Sequence, residues 1–138
     1  MLARATLAML AVLITAGCET AATAPPTQPL APPAADLPAQ YARFHGVWSG
    51  KWDDTWDVTF VLDDISSDGQ ANGHYYWKEN VPGPWSHNPM SGFIHGDAAI
   101  FGVIAITIDP ADANKAVAVG RFELNTRTAK LTKLTSGP

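Results

Sequence analysis

The chain has 138 residues, of which 46% are apolar and 16% are charged, and its formal net charge is −4. Its lysines and arginines form no run, which argues against a nucleic-acid partner because phosphate binding needs a concentrated basic face. A single cysteine excludes an internal disulfide and a cysteine-rich zinc site. The length suits one domain.

The first residues carry the features of an export signal. Residues 1–4 are a short positive start, and residues 5–16 are apolar or small throughout. The apolar run is too short for a membrane-spanning helix, which needs about 20 residues, and it fits the hydrophobic core of a signal peptide. Small residues then stand directly before Cys18. We therefore predict that residues 1–17 are a signal peptide.

The end of this leader, Ile14-Thr15-Ala16-Gly17-Cys18, resembles the bacterial lipoprotein signal. The resemblance implies that Cys18 carries acyl chains such as palmitate and becomes the new N-terminus. Stable anchoring takes at least two chains, since each buried CH₂ contributes about 0.8 kcal/mol. The alternative is an ordinary secretory signal with a chance cysteine.

A lipidated Cys18 implies attachment to a membrane of the bacterial cell envelope. Glu19 follows the cysteine, whereas the retention signal of inner-membrane lipoproteins is an aspartate. This difference favours the periplasmic side of the outer membrane over the inner membrane.

Residues 18–41 are rich in Ala, Pro and Thr and have almost no aromatic side chains. The prolines oppose a helix and favour extended conformations. Because this segment has little to bury, we expect it to be a disordered tether between the lipid and the domain. The domain then comprises residues 42–135, and its length of about 95 residues is enough for one modest core.

The domain shows the alternation that is typical of β-strands. A strand at the start of the domain places Gly46, Trp48, Gly50 and Trp52 on one face, so that small and large side chains alternate. A closing barrel needs such alternation where its wall curves and an indole fits beside bare backbone. Strands separated by turn signals are predicted at 42–52, 55–63, 70–78, 91–95, 98–108, 116–124 and 128–134.

Seven short strands without helical periodicity predict an all-β fold, a small antiparallel meander that closes into a barrel. Segment 98–108 is apolar on both faces, so a buried helix is the alternative there, but its β-branched residues favour a strand. Segment 79–89 contains several prolines and is predicted to be the longest irregular piece.

Gly46-Val47-Trp48 resembles the Gly-x-Trp signature of the lipocalin/avidin (calycin) barrels. A later Tyr-x-Trp strand and a final Ala-x-Leu-Thr-Lys make the chain similar to small lipocalin-like domains of exported bacterial proteins. The resemblance implies that Trp48 plugs the closed end of a barrel and that Arg121 or Lys130 packs on its indole by a cation–π contact. The domain is shorter than a true lipocalin, which argues against a large ligand cavity.

The aromatic side chains are dense for a domain of this size. Their flat faces suit stacking on sugar rings or on an apolar ligand at the mouth of a barrel. The candidate binding residues are Trp52, Trp56, Tyr76, Trp77, Trp85 and His87. Core packing is the alternative role for most of them, whereas Trp85 lies in a Pro/Gly loop that suits a surface contact.

The sequence offers no convincing metal or catalytic site. His74, His87, His95 and Asp97 lack a close ligand spacing, and strand alternation is expected to point the histidines in different directions. No Gly-x-Ser-x-Gly elbow and no second cysteine are present. We therefore expect no metal, no cofactor and no enzymatic activity.

The leading hypothesis is a lipid-anchored envelope lipoprotein whose small β-barrel binds a glycan, a small apolar ligand or a partner protein. One alternative is an exported inhibitor of an envelope protease or lysozyme, which would use its N-terminal segment. Another alternative is a structural envelope protein without a small ligand. The expected partners are the membrane, through the lipid on Cys18, and a cell-wall glycan or an envelope protein.

Overall fold

The computed structural model describes residues 24–79 and 82–136. The predicted signal peptide and Cys18 lie outside these residues. Among them, no helix is long and apolar enough to cross a membrane. The elements are α1 (Ala39–Ala42), β1 (Gly46–Trp52), β2 (Trp56–Ile65), β3 (Gln70–Lys78), β4 (Ser86–His95), β5 (Ala98–Phe101), β6 (Ile104–Asp109), β7 (Asp112–Phe122) and β8 (Asn125–Lys133).

The strands form a closed antiparallel barrel. Each strand pairs with the next along the chain, and β8 pairs back with β1. Alternate side chains point inward, as in β6, where Ile104, Ile106 and Ile108 are buried while Thr107 is exposed. The predicted all-β fold, an antiparallel meander closing into a barrel, is confirmed and agrees with a lipocalin/avidin-like architecture.

The predicted number of strands and several strand bounds were wrong. Among the described residues the barrel has eight strands where seven were predicted, β1 begins at Gly46 rather than at residue 42, and β7 begins at Asp112 rather than at residue 116. The segment 98–108 is two strands, β5 and β6, joined by a tight turn in which Gly102 has φ +58°. The turn was not predicted because the segment is apolar throughout and one glycine was the sole local signal. Only glycine adopts that φ readily. The segment predicted to be irregular is also shorter, because β4 begins at Ser86 and pairs along β3 despite Pro89.

Glycines on the inner faces allow neighbouring strands to approach closely. A side chain at Gly50 would collide with the backbone carbonyl of Lys130 on β8, and one at Gly73 would collide with that of Val61 on β2. Both glycines alternate with large inward residues, Trp52 after Gly50 and Tyr75 after Gly73. The small-and-large pattern in the sequence therefore corresponds to real backbone contacts in the curved wall.

One end of the barrel is closed by Trp48, which is fully buried. Its Nε1 donates a hydrogen bond to the Phe44 carbonyl at 2.9 Å. The ammonium of Lys133 lies 4.7 Å from the indole centroid and donates to the Arg43 carbonyl at 2.7 Å. Half-burial of Lys133 lowers its pKa. We call this arrangement the closed end.

The cation that packs on Trp48 is therefore Lys133. The resemblance had implied Arg121 or Lys130 in this role. Strand alternation explains the difference for Lys130, which faces outward between inward Ala129 and Leu131. Arg121 lies near the end of β7 that is remote from Trp48, where it is exposed.

The chain enters the barrel at the closed end. Arg43, which follows α1, forms an ion pair with Asp97 at 2.8 Å and donates to the Gly96 carbonyl at 3.0 Å. Residues 30–34 and Leu37, part of the predicted tether, line a groove of about 440 Å³ with His45 and residues 63–65. The proline-rich composition did not predict this contact.

We predict that Gly50→Ala destabilises the barrel by about 2 kcal/mol, because the new methyl group meets the Lys130 carbonyl across the β1–β8 seam. At a strand position with space for a methyl group, a glycine-to-alanine change would instead stabilise the protein, since alanine loses less backbone entropy on folding. Denaturant unfolding measures the difference.

The control is Lys51→Ala, on the same strand, whose exposed ion pair with Asp57 contributes at most about 1 kcal/mol. A Gly50→Ala variant as stable as the parent protein would contradict the close approach of β1 and β8.

Candidate functional site

The opposite end of the barrel opens into a cavity of about 350 Å³. We call it the mouth pocket. Its walls come from six strands and from the residue that follows β3, so distant parts of the chain meet there. Its lining residues are Trp52, Trp56, Tyr75, Trp77, Glu79, Asn88, Phe122 and Arg127.

A stack of parallel rings runs up one wall toward the mouth pocket. Phe60 and Tyr75 lie 5.1 Å apart between centroids at an interplanar angle of 11°. Tyr75 and Trp77 follow at 4.8 Å and 22°. Tyr75 and Trp77 are two positions apart on β3, so both face inward, and Phe60 is paired with Tyr75 across the β2–β3 ladder.

Trp52 forms the floor of the mouth pocket and is almost completely buried, with 1% of its surface exposed. Its indole meets Phe60 and Phe122 edge to face, with centroid distances of 6.1 and 5.8 Å. Its Nε1 donates a hydrogen bond of 2.8 Å to the Tyr75 hydroxyl. Burial raises the pKa of Tyr75, so the hydroxyl remains protonated and able to donate at neutral pH.

Arg127 supplies a positive charge at the rim, and its partners hold it in place. The guanidinium lies 4.0 Å from the Trp56 centroid and pairs with Asp53 at 3.2 Å. Asp53 is fixed in turn, since its other carboxylate oxygen accepts from the Thr128 backbone N–H at 3.0 Å. The charge of Arg127 is therefore both compensated and spread over an aromatic face.

Glu79 and Asn88 complete the polar part of the mouth pocket. Within the described residues, the Glu79 carboxylate takes part in no ion pair, and the Asn88 amide makes no side-chain hydrogen bond. The mouth pocket thus combines aromatic walls with a carboxylate and an amide that have no side-chain partner among the residues described. Such a site can hold an apolar ring and bind a few polar atoms at its edge.

The structure brings together three of the residues predicted to bind a ligand, Trp52, Trp56 and Trp77. Tyr76 faces the other way, because it alternates with its neighbours on β3, and it stacks on His87 across the β3–β4 ladder at 4.6 Å. Trp85 precedes β4 and lies under the ammonium of Lys78 at 5.1 Å. A binding role for these outer residues stays a prediction.

The sequence analysis missed five residues of the mouth pocket, namely Tyr75, Glu79, Asn88, Phe122 and Arg127. Strand alternation alone could have found Tyr75, which shares a face with Trp77. Phe122 and Arg127 come from the β7–β8 hairpin, and only closure of the barrel brings them to Trp52 and Trp56.

The outer face of β3 and β4 contradicts one expectation about the histidines. Strand alternation was expected to separate them, yet His74 Nδ1 and His87 Nε2 lie 3.0 Å apart. His74 Nε2 also lies 3.9 Å from an Asp63 carboxylate oxygen. Even so, in the part of the chain that the structure describes, no three side chains of the ligating types converge on a metal position.

Comparison with family models, with curated proteins and with solved structures finds no significant match to this chain. The geometry of the mouth pocket is therefore the basis for a proposed function.

We predict that Tyr75→Phe destabilises the protein by about 1–3 kcal/mol, because it leaves the buried Trp52 N–H without an acceptor. Tyr76→Phe is the matched control, since it removes the same hydroxyl from the outer face of the same strand. We expect it to change stability by less than about 0.5 kcal/mol. Equal losses of stability in the two variants, measured by thermal or denaturant unfolding, would contradict the role of the Trp52–Tyr75 hydrogen bond.

Proposed function

We propose that this protein is an exported lipoprotein whose barrel binds a small, mainly apolar ligand in the mouth pocket. The observation that carries the proposal is a cavity of about 350 Å³ with five aromatic side chains and three polar ones at the open end of the barrel. Ligand sites in proteins typically have volumes of about 300–1,000 Å³ and apolar walls with a few placed polar groups.

The contrast between the two ends of the barrel supports this proposal. At the closed end, Trp48 and Phe44 are fully buried, and the polar atoms around them have partners. At the mouth, Trp56 and Trp77 remain partly exposed. Large apolar surface left in a concave site is typical of a place where another molecule binds.

The path of the chain is compatible with lipid anchoring. Residues 30–34 and Leu37 lie beside the closed end, and the chain enters β1 there. An anchor on Cys18, close before the described residues, would therefore attach the protein by its closed side. The mouth pocket would then remain accessible from the surrounding compartment.

We predict that the neutral apolar dye N-phenyl-1-naphthylamine binds the mouth pocket and gains fluorescence there. Trp77→Ala should weaken binding by about tenfold, because it removes a large part of the aromatic wall. Trp85→Ala is the control, since this indole lies outside the pocket, and it should leave the affinity unchanged. Dye binding that is insensitive to Trp77 would count against a ligand site at the mouth.

We predict that the protein is recovered with membranes after expression in a bacterium and that Cys18→Ser moves it to the soluble fraction. The substitution removes the thiol that would carry the acyl chains, and without them no stable anchor remains. Metabolic labelling with palmitate should mark the parent protein and not the variant. A Cys18→Ser protein that stays in the membrane fraction, or an unlabelled parent protein, would refute the anchoring.

A further inference from the structure

We propose that the mouth pocket selects a flat aromatic ring that carries a hydrogen-bond donor or a positive charge, stacked on Trp77 with its donor toward Glu79. This inference rests on the proposed function, since it concerns the chemistry of the ligand at the same site. The proposed ligands are therefore aromatic amines and N–H-bearing heterocycles.

The stack of rings on the inner wall supplies the first argument. Phe60, Tyr75 and Trp77 lie nearly parallel, with successive centroids 5.1 and 4.8 Å apart. Trp77 is the member nearest the mouth, and among the described residues no other ring or cation packs on it. A flat ring entering the mouth pocket would extend the stack by one layer, in the offset arrangement that aromatic pairs prefer. A saturated, puckered ring cannot reproduce that contact.

The distribution of charge supplies the second argument. The positive charge of Arg127 is compensated by Asp53 at 3.2 Å and rests on the Trp56 face. Glu79 has no such partner within the described residues. The uncompensated charge at the rim is therefore negative, which favours a donor or a cation and disfavours a carboxylate-bearing ligand.

The supply of hydrogen-bond partners argues against a sugar. The Tyr75 hydroxyl accepts from Trp52 and keeps one O–H to donate, and Arg127 donates to Asp53 while its guanidinium lies over Trp56. Glu79 adds a carboxylate and Asn88 adds an amide. A sugar ring would bring more hydroxyl groups into an aromatic cavity than these few polar groups can satisfy, and unpaired buried hydroxyls oppose binding.

Isothermal titration of the full-length protein with matched probes tests the proposal. Tryptamine, indole and indole-3-acetate carry one ring with positive, neutral and negative charge. 2-Phenylethylamine and 2-cyclohexylethylamine differ in the flatness of the ring, and methyl β-glucoside represents a sugar. We expect the phenyl amine to bind about fivefold more tightly than the cyclohexyl amine. The affinities should fall from tryptamine to indole to indole-3-acetate, with the glucoside weakest.

Variants assign these preferences to residues. Trp77→Phe should keep the preference for the flat ring, and Trp77→Ala should abolish it. Glu79→Gln should lower the affinity for tryptamine about threefold while leaving indole unchanged. Glu123→Gln is the matched control, since this exposed carboxylate lies in the β7–β8 turn outside the mouth pocket, and it should have no effect.

Equal affinity for the phenyl and cyclohexyl amines would overturn the stacking argument. Tighter binding of indole-3-acetate or of the glucoside would overturn the charge and hydrogen-bond arguments. Any of these results, together with Trp77-dependent binding of N-phenyl-1-naphthylamine, would refute the ligand class and leave the proposed function intact. Failure of every probe, the naphthylamine included, would refute the proposed function itself.

Discussion

The structure depends on one constraint, which is that β1 pairs on both of its edges. It bonds to β2 over its whole length and to β8 over residues 48–52, and this second pairing closes the barrel. Close approach at the seam is possible because Gly50 presents no side chain to the Lys130 carbonyl. The indoles on either side of Gly50 then point to opposite ends of the interior, Trp48 to the closed end and Trp52 to the floor of the mouth pocket.

The two ends of the barrel use similar chemistry to different effect. Each has a cation above an indole, Lys133 over Trp48 at 4.7 Å and Arg127 over Trp56 at 4.0 Å. The lysine donates to a backbone carbonyl beneath a buried plug, whereas the arginine pairs with Asp53 at an exposed rim. Exposure separates the roles, since a satisfied, buried aromatic contributes to stability and a partly exposed one remains available to a ligand.

Three of the eight residues that line the mouth pocket were predicted from the sequence, and the other five were not. Trp52, Trp56 and Trp77 were identified because tryptophan is conspicuous and shares strand faces with other apolar residues. Tyr76 and His87 face outward, since side chains of adjacent strand positions point to opposite sides and the sequence does not say which side is the interior. Arg127 and Phe122 follow from no local pattern, because their contacts with Trp56 and Trp52 join residues about 70 positions apart.

By itself, the sequence determined the fold class, since alternation with a period of two and closely spaced turns permit few architectures other than an antiparallel barrel. It also contained the glycine and indole pattern of β1, which is a local consequence of strand geometry. Only the tertiary structure decided that Lys133 covers Trp48, that a turn at Gly102 divides an apolar run, and that the Glu79 carboxylate lines the mouth pocket. The physical reason is that strand closure sets the register between distant segments, and register determines which side chains meet.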